Sequence, residues 1–201
     1  MPVLRQRDGV LVFAKKLPQA FWMKIVDRKV EFSTPWFRLI SKSIEGEAVP
    51  YYALKMADYV SVLVFSPESD LVLVRQYRPA VERYTLELPS GQVEKGESPE
   101  QCARREVAEE CGLEVVEIEP LGALLSDTGR HENQLWCYMA TQTRHLGAKF
   151  EPEPGVEPVV IPRAKIPEIW QHPEFDHALN YALMMLAVLK NKKVSELFAL
   201  K

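Results

Sequence analysis

The segment from Gly91 to Leu113 limits the fold of this chain more than any other stretch. It reads GQVEKGESPEQCARREVAEECGL and holds a helix with both ends marked. Ser98 is placed to act as the N-cap, Pro99 takes the first helical position, and Gln101 stands where a capping box needs it. Gly112 supplies the stop at the C-terminus. The sequence therefore predicts one helix between Ser98 and Gly112.

Three carboxylates fall on one face of this helix. Glu106, Glu109 and Glu110 are spaced i, i+3 and i+4, so their side chains project from the same side. Carboxylates this close repel one another, and bound cations would offset the repulsion. Ligand sets made of oxygen alone suit hard cations such as Mg²⁺ or Mn²⁺. The alternative is a solvated acidic face with Arg105 as a partner.

The whole segment resembles the Nudix box of the Nudix hydrolase family. It fits the pattern G-x5-E-x7-R-E-U-x-E-E-x-G-U, where U is aliphatic, at every fixed position. With roughly 7% background frequency at each position, seven fixed matches arise by chance at less than about 10⁻⁶ over all starts. The matching residues are Gly91, Glu97, Arg105, Glu106, Val107, Glu109, Glu110, Gly112 and Leu113. The resemblance implies the type of domain and not an enzymatic activity, because some Nudix-like domains act as regulators.

The resemblance assigns metal-binding roles. It implies that Glu106 and Glu110 are the main Mg²⁺ ligands and that Glu109 is a bridging or supporting ligand. Ser90 matches the position whose backbone carbonyl binds metal in the family. Mn²⁺ is the other cation this donor set would accept.

Four further positions of the box are expected to be structural. Arg105 would orient the carboxylates and not touch substrate. Glu97 would fix the loop or reach a metal through water. Gly91 lets the backbone approach the site, and Gly112 ends the helix.

The order of predicted elements is strands, helix, strands, helices, which indicates an α+β fold with helices on a mixed sheet. The resemblance specifies a Nudix α/β/α sandwich over residues 58–201, after a small β extension over residues 1–57 that would mediate dimerisation. The predicted strands lie within Val30–Leu54 and at Tyr59–Phe65, Leu71–Tyr77, Thr85–Leu88, Val115–Leu125, Leu135–Thr141 and Val159–Ile161. The later helices are predicted at Pro167–Gln171 and Phe175–Lys190.

The strand and turn before the box resemble the ADP-ribose pyrophosphatase branch of the family. In that branch a Gln-aromatic-Arg strand precedes a Glu-x-Pro-small-Gly turn, and here these read Gln76-Tyr77-Arg78 and Glu87 to Gly91. Arg78 suits a diphosphate, because guanidinium pairs bidentately with phosphoryl oxygens. An exposed arginine with a surface partner is the alternative. Glu87 would hydrogen-bond a sugar or orient Arg78.

Aromatic residues of the extension are candidates for stacking on a nucleobase. Trp36, with Tyr51 or Tyr52, lies where the branch places aromatics that sandwich adenine across the dimer. A flat ring stacks on any base, so this feature would indicate a base without naming it. The alternative is that Trp36 belongs to the dimer core.

One position departs from the ADP-ribose pattern. Members of that branch carry a proline about fifteen residues beyond the box, where this chain has Thr128. Other nucleoside diphosphate sugars therefore remain candidate substrates. Arg130, His131 and Glu132 follow, either in the substrate pocket, with Arg130 as a contact, or on a loop surface.

The resemblance implies that the catalytic base is a glutamate on a mobile loop after the box. The segment Arg144–Glu157 offers Glu151, Glu153 and Glu157. We favour Glu153 because prolines stand on both sides of it, and Glu151 is the second candidate.

Composition narrows the class of protein. The net charge is −3 with no basic block, so neither nucleic acid nor an anionic membrane is an expected partner. Cys102, Cys111 and Cys137 show no metal-ligand spacing and are expected to be buried thiols. The most apolar run, Ala178–Leu189, is too short for a bilayer. A cytoplasmic location is expected.

The resemblance implies a Mg²⁺-dependent homodimeric enzyme that cleaves the pyrophosphate bond of a nucleoside diphosphate sugar. ADP-ribose, giving AMP and ribose 5-phosphate, is the first candidate substrate. The alternatives are a nucleotide-binding regulator without turnover and a Nudix enzyme for another nucleoside diphosphate derivative, such as a dinucleoside polyphosphate.

Overall fold

The computed structural model describes residues 4–7, 10–13, 23–147, 150–151 and 153–198, the first two ranges as backbone alone. The strands in these ranges are β1 (Leu4–Arg7), β2 (Val10–Phe13), β3 (Ile25–Ser33), β4 (Phe37–Ile44), β5 (Tyr51–Met56), β6 (Tyr59–Phe65), β7 (Leu71–Arg78), β8 (Arg83–Glu87), β9 (Ser90–Gln92), β10 (Leu113–Leu125), β11 (Gln134–His145) and β12 (Val156–Ile161). The helices are α1 (Pro99–Cys111), a 3-10 helix (Arg163–Gln171), α2 (Ala178–Lys190) and α3 (Lys192–Leu197).

A mixed seven-stranded sheet forms the centre of the fold. Its main path runs β10-β11-β6-β7-β12, with β6 and β11 parallel and the other pairs antiparallel. Strands β6 and β7 pair only at Val64–Val72 and Phe65–Leu71, next to the turn that joins them. Beyond that point β9 pairs with β6 and β8 pairs with β7. The separation of β6 from β7 therefore opens a gap that β8 and β9 fill.

Helices cover both faces of this sheet because its strands are apolar on both sides. On β7, Val72 and Val74 pack in the cluster that includes Val107 of α1. Leu71 and Leu73 pack in the opposite cluster, which includes α2. This arrangement confirms the expected α+β class and the three-layer order of the Nudix fold.

The strands β3, β4 and β5 form a separate antiparallel sheet. It joins the central domain through two backbone hydrogen bonds: Leu54 N donates to Arg130 O at 2.7 Å, and Glu132 N donates to Leu54 O at 3.0 Å. A domain boundary between residues 57 and 58 stays a prediction, and residues 1–3, 8–9 and 14–22 of the extension lie outside the described ranges.

Several element boundaries differ from the expectation. β3 begins at Ile25, before Val30. β11 continues to His145 and β12 begins at Val156, so the connecting segment is shorter than Arg144–Glu157. α2 begins at Ala178, since buried Phe175 lies in the preceding turn. α3 was not expected.

The cysteines and the apolar helix fit the interior of the domain. Cys102, Cys111 and Cys137 are all buried and free of disulfides. Over the described ranges, no helix has both the length and the apolar character needed to cross a bilayer.

Candidate active site

Helix α1 is held at both ends by the predicted caps. The Ser98 hydroxyl accepts from Gln101 N at 3.2 Å, and Gln101 Oε1 accepts from Ser98 N at 2.8 Å. Gly112 has φ of 65°, a left-handed conformation that favours glycine. A Cβ at Gly112 would also lie 2.7 Å from the Phe150 ring. These constraints fix the position of the acidic face.

Arg105 is the centre of an ion-pair network on α1. Its Nε donates to Glu97 Oε1 at 3.0 Å, and its Nη1 donates to Glu106 Oε1 at 2.8 Å and to Glu109 Oε2 at 3.0 Å. The hydrogen bonds from Arg105 lower the pKa of Glu97 to about 2. Arg105 therefore holds three carboxylates of the box in fixed orientations. Its role and that of Glu97 stay predictions.

Glu106 and Glu110 are buried carboxylates, with 7% and 4% of their surface exposed. Glu110 Oε2 accepts from Ser90 N at 2.9 Å. Burial, with added repulsion from Glu106 and Glu153, raises the pKa of Glu110 to about 8. Burial also raises the pKa of Glu106, and Arg105 offsets only part of that rise. For both side chains, the nearby hydrogen bonds and positive charges do not offset the cost of burying a negative charge.

Gly91 is required by its distance from Glu106. A Cβ placed on Gly91 would lie 1.8 Å from Glu106 Oε1. No side chain fits in that space, so strand β9 passes directly over the carboxylate. Ser90 uses its amide for Glu110, and metal binding by its carbonyl stays a prediction.

The donor set fits a divalent cation, although the described residues do not form a closed metal cage of three acidic, histidine or cysteine side chains. Glu106 and Glu109 direct their carboxylates toward Arg105. Two buried carboxylates with raised pKa values would be stabilised in their ionised form by a bound cation. Oxygen ligands of this kind favour Mg²⁺ or Mn²⁺.

Arg78 and Glu87 form a bidentate ion pair beside these carboxylates. Arg78 Nε donates to Glu87 Oε1 at 2.9 Å, and Nη2 donates to Oε2 at 2.7 Å. Thr85 donates to Glu87 Oε1 at 2.6 Å. Burial alone would raise the pKa of Glu87, but hydrogen bonds from Arg78 and Thr85 lower it. Of the two alternatives for Glu87, this geometry corresponds to orienting Arg78.

The guanidinium of Arg78 is available to a ligand. Its side chain is 40% exposed, while that of Glu87 is 6% exposed. The pKa of Arg78 is raised chiefly by Glu87 and also by the nearby charge of Glu110. Arg78 therefore lies within electrostatic reach of the α1 carboxylates.

The loop glutamates occupy three different environments. The charge of Glu153 contributes to the raised pKa of both Glu106 and Glu110, which places its carboxylate near theirs. Glu151 is exposed, and Pro152 between them lies outside the described residues. Glu157 lies in β12, where its Oε2 is 3.9 Å from Arg75 Nη1.

The stacking candidates lie on the N-terminal sheet. Trp36 is 70% exposed, in the turn between β3 and β4, and borders a cleft of about 300 Å³. Tyr51 donates its hydroxyl hydrogen to Gly129 O and accepts from Arg130 Nη1 at 2.9 Å. The Arg130 guanidinium also lies 5.3 Å from the centre of the Tyr51 ring. The structure thus brings Tyr51 and Arg130 together.

Near Arg78, His177 was missed by sequence reasoning, and Gln76 was quoted only as part of a motif, without an assigned role. His177 Nδ1, at the start of α2, is 3.9 Å from Glu87 Oε2. Gln76 precedes Arg78 by two positions, and its Nε2 is buried without a hydrogen-bond partner. An unpaired buried donor costs about 1–3 kcal/mol. The period-2 geometry of a strand could have drawn attention to Gln76, because it shares a face with Arg78.

Sequence comparison decides the family. The profile of the NUDIX domain matches residues 55–179, more than half of the chain. The chain belongs to the Nudix family. This confirms the interpretation of the segment from Gly91 to Leu113.

Two relatives and one solved structure are similar to this chain. An ADP-ribose pyrophosphatase of Bacillus subtilis (strain 168) is 29% identical over 64% of this chain and 71% of its own length. A methanol dehydrogenase activator of Bacillus methanolicus is 36% identical over 40% of this chain, which spans only 44% of that protein. A crystal structure of an ADP compounds hydrolase has a TM-score of 0.70, with 22% identity, over 85% of this chain and 95% of that chain. At that identity the structural likeness establishes the fold.

Proposed function

We propose that this Nudix protein uses Mg²⁺ to hydrolyse the pyrophosphate bond of a nucleoside diphosphate sugar, with ADP-ribose as the first candidate. The observation that carries the proposal is the pair of buried carboxylates, Glu106 and Glu110, with the Arg78 guanidinium nearby. In this arrangement the carboxylates would bind a cation, and the guanidinium would bind a diphosphate next to it. The Bacillus subtilis relative, an ADP-ribose pyrophosphatase, supports the substrate class.

The residues of the chain have separate tasks in this reaction. Bound Mg²⁺ would neutralise charge on the phosphoryl oxygens and activate the attacking water. Glu106 and Glu110 hold the ion, with Glu109 and the Ser90 carbonyl as further ligands. Arg78 pairs with the diphosphate, and Glu87 keeps the guanidinium oriented through its two hydrogen bonds.

Glu153 is the proposed general base. A base must lie close to the water that attacks the phosphorus atom. The carboxylate of Glu153 is near enough to Glu106 and Glu110 to raise the pKa of both. Glu151, two positions earlier in the sequence, is the second candidate.

The N-terminal sheet is the proposed dimer interface. Val26, Val30 and Phe32 of β3 are large apolar side chains that are about half exposed. Apolar patches of this kind mark association surfaces. In a two-fold dimer, Trp36 and Tyr51 would stack on a base bound by the partner subunit.

A substrate panel tests the proposal. Nucleotide sugars and dinucleoside polyphosphates would be incubated with the enzyme, Mg²⁺ and a phosphatase that releases phosphate from the products. We expect the largest kcat/KM with a nucleoside diphosphate sugar, and replacement of Mg²⁺ by Mn²⁺ to retain activity. The panel also resolves the question raised by Thr128, because it varies the base and the sugar independently.

The control is Glu110→Gln, which should be inactive on every member of the panel. Equal phosphate release by this variant would contradict the assignment of Glu110 as a metal ligand. Binding of nucleotide sugars without phosphate release would instead indicate a regulator and overturn the proposal.

A further inference from the structure

Gln76 lies on the face of β7 that carries the site. Its neighbours in register are Thr85 of β8 and Val156 of β12. Alternate residues of a strand share a face, so Gln76 lies on the same side as Val74 and Arg78. Val74 packs in the cluster beneath α1. The Gln76 side chain is therefore directed toward the layer that contains the carboxylate helix.

The side-chain amide of Gln76 has no acceptor within the described residues. Its Nε2 is buried and makes no hydrogen bond. Glu87, which lies opposite Val74 in the register of β8 with β7, already accepts two hydrogen bonds from Arg78 and one from Thr85. An amide donor without a partner destabilises the free protein, so an acceptor that arrives with a ligand would remove a cost already present.

We propose that Gln76 is a substrate-binding residue whose side-chain amide donates to an anionic phosphoryl oxygen of the bound diphosphate, next to Arg78. This inference rests on the proposed function. Arg78 supplies charge and a planar pair of donors, while Gln76 adds a neutral donor at a fixed position on the same strand. The pair then selects a diphosphate by geometry as well as by charge.

The first test is Gln76→Met, which keeps the length of the side chain and removes its polar atoms. We expect the KM for the best nucleotide sugar to rise about tenfold with a smaller change in kcat. The melting temperature of the substrate-free protein should stay equal or rise, because the unpaired donor is gone. Gln142→Met, on an exposed position of β11, is the matched control and should change neither value.

Gln76→Glu separates a donor from an acceptor at this position. A carboxylate has nearly the same shape but repels phosphoryl oxygens, so KM should rise further than in Gln76→Met. An unchanged KM in either variant overturns the inference, while activity of the wild-type enzyme would leave the proposed function intact. A lower melting temperature for Gln76→Met would show that Gln76 serves the fold, and would also overturn it.

A double variant distinguishes contact with substrate from an effect through the loop. If Gln76 contacts substrate, Gln76→Met raises KM equally in the wild-type and Glu153→Gln backgrounds. An effect that disappears in the Glu153→Gln background would contradict substrate contact.

If the wild-type protein cleaves no nucleotide sugar, the proposed function fails separately. Titration calorimetry with inorganic pyrophosphate and Mg²⁺ then decides the inference. Weaker binding by Gln76→Met than by Gln142→Met supports it, and equal binding overturns it.

Discussion

A single carboxylate at the end of α1 is the residue on which activity should depend most. Glu110 is buried, accepts one backbone hydrogen bond from Ser90 and has a raised pKa. Glu110→Gln keeps the shape of the side chain and removes its charge. We expect kcat at saturating Mg²⁺ to fall about 10³-fold, because one ligand of the metal is lost.

Thermal unfolding of Glu110→Gln provides the structural control. The variant should unfold at the wild-type temperature or above it when metal is absent, since the cost of burying an ionisable carboxyl has been removed. Near-wild-type kcat in a folded variant would contradict the assignment of Glu110 as a ligand.

The pH dependence of stability provides a second test at Glu110. Its folded pKa of about 8 is above its ordinary value of 4.5, so the folded state keeps a proton that the unfolded state has lost. In metal-free protein this contribution is complete below about pH 4.5 and disappears as pH rises to about 8, by at most about 1.4 kcal/mol per pH unit. Glu106 acts in the same direction.

Urea denaturation with EDTA, from about pH 5 to about pH 8, would measure this slope. We expect Mg²⁺ to restore stability most at the alkaline end, because it binds the ionised carboxylates. Glu110→Gln should flatten the slope. If the free energy of unfolding changes equally with pH in the wild type and in Glu110→Gln, the proton retained by the folded state is not on Glu110.

Some residue contacts follow from sequence and others do not. The capping of α1 and the common face of Glu106 and Glu110 depend on neighbours three or four positions apart, so helix geometry was sufficient. The charge effect of Glu153 on the α1 carboxylates depends on the path that the chain takes through β11 and β12. The isolation of Gln76 Nε2 could not be predicted either, because it depends on which acceptors are already occupied.

At the level of elements, variants in and beside the loop between β11 and β12 can distinguish a catalytic glutamate from a structural one. If Glu153 is the base, Glu153→Gln should lower kcat about 10²- to 10⁴-fold and change KM little. Glu157→Gln is the matched control, because Glu157 is fixed in β12 near Arg75. Steady-state kinetics of both variants would measure the difference.

Glu151→Gln is the third member of that series and should be milder than Glu153→Gln. A larger loss at Glu151 would move the base to that position. If none of the three variants lowers kcat by even about tenfold, the water is activated by the metals or by another residue, and the assignment fails.

Strong periodic patterns predicted elements better than weak ones. The hairpin of β6 and β7 was clear, because each strand is apolar and turn residues separate them. The start of β3 was missed because Asp27, Arg28 and Lys29 give it a polar sequence, although it pairs with β4 along its length. α3 is six residues long, too short to show a helical period.

For the whole molecule, the exposed apolar side of the N-terminal sheet predicts assembly. Phe32 on β3 is 58% exposed. Phe32→Glu should convert a dimer into monomers, because it places charge within a surface that excludes water. Leu189→Glu, on an exposed apolar position of α2, is the control and should remain dimeric. Sedimentation velocity at micromolar concentration would distinguish them.

A wild-type monomer with full activity would contradict a site shared between subunits. If Phe32→Glu is monomeric and its KM rises while kcat is retained, the partner subunit contributes to binding the base and not to chemistry.

The parallel pairing of β6 with β11 should set the rate of folding. Asp58, directly before β6, accepts a hydrogen bond from the backbone N–H of Gln134, 76 positions away in the sequence. A long loop must close before such a pair gains any contacts, so folding in milliseconds to seconds is expected. The acidic helix precedes β11 in the chain and cannot be seated on a complete sheet until β11 has docked. Mg²⁺ should therefore slow unfolding and leave the refolding rate nearly unchanged, which stopped-flow measurement of both rates would test.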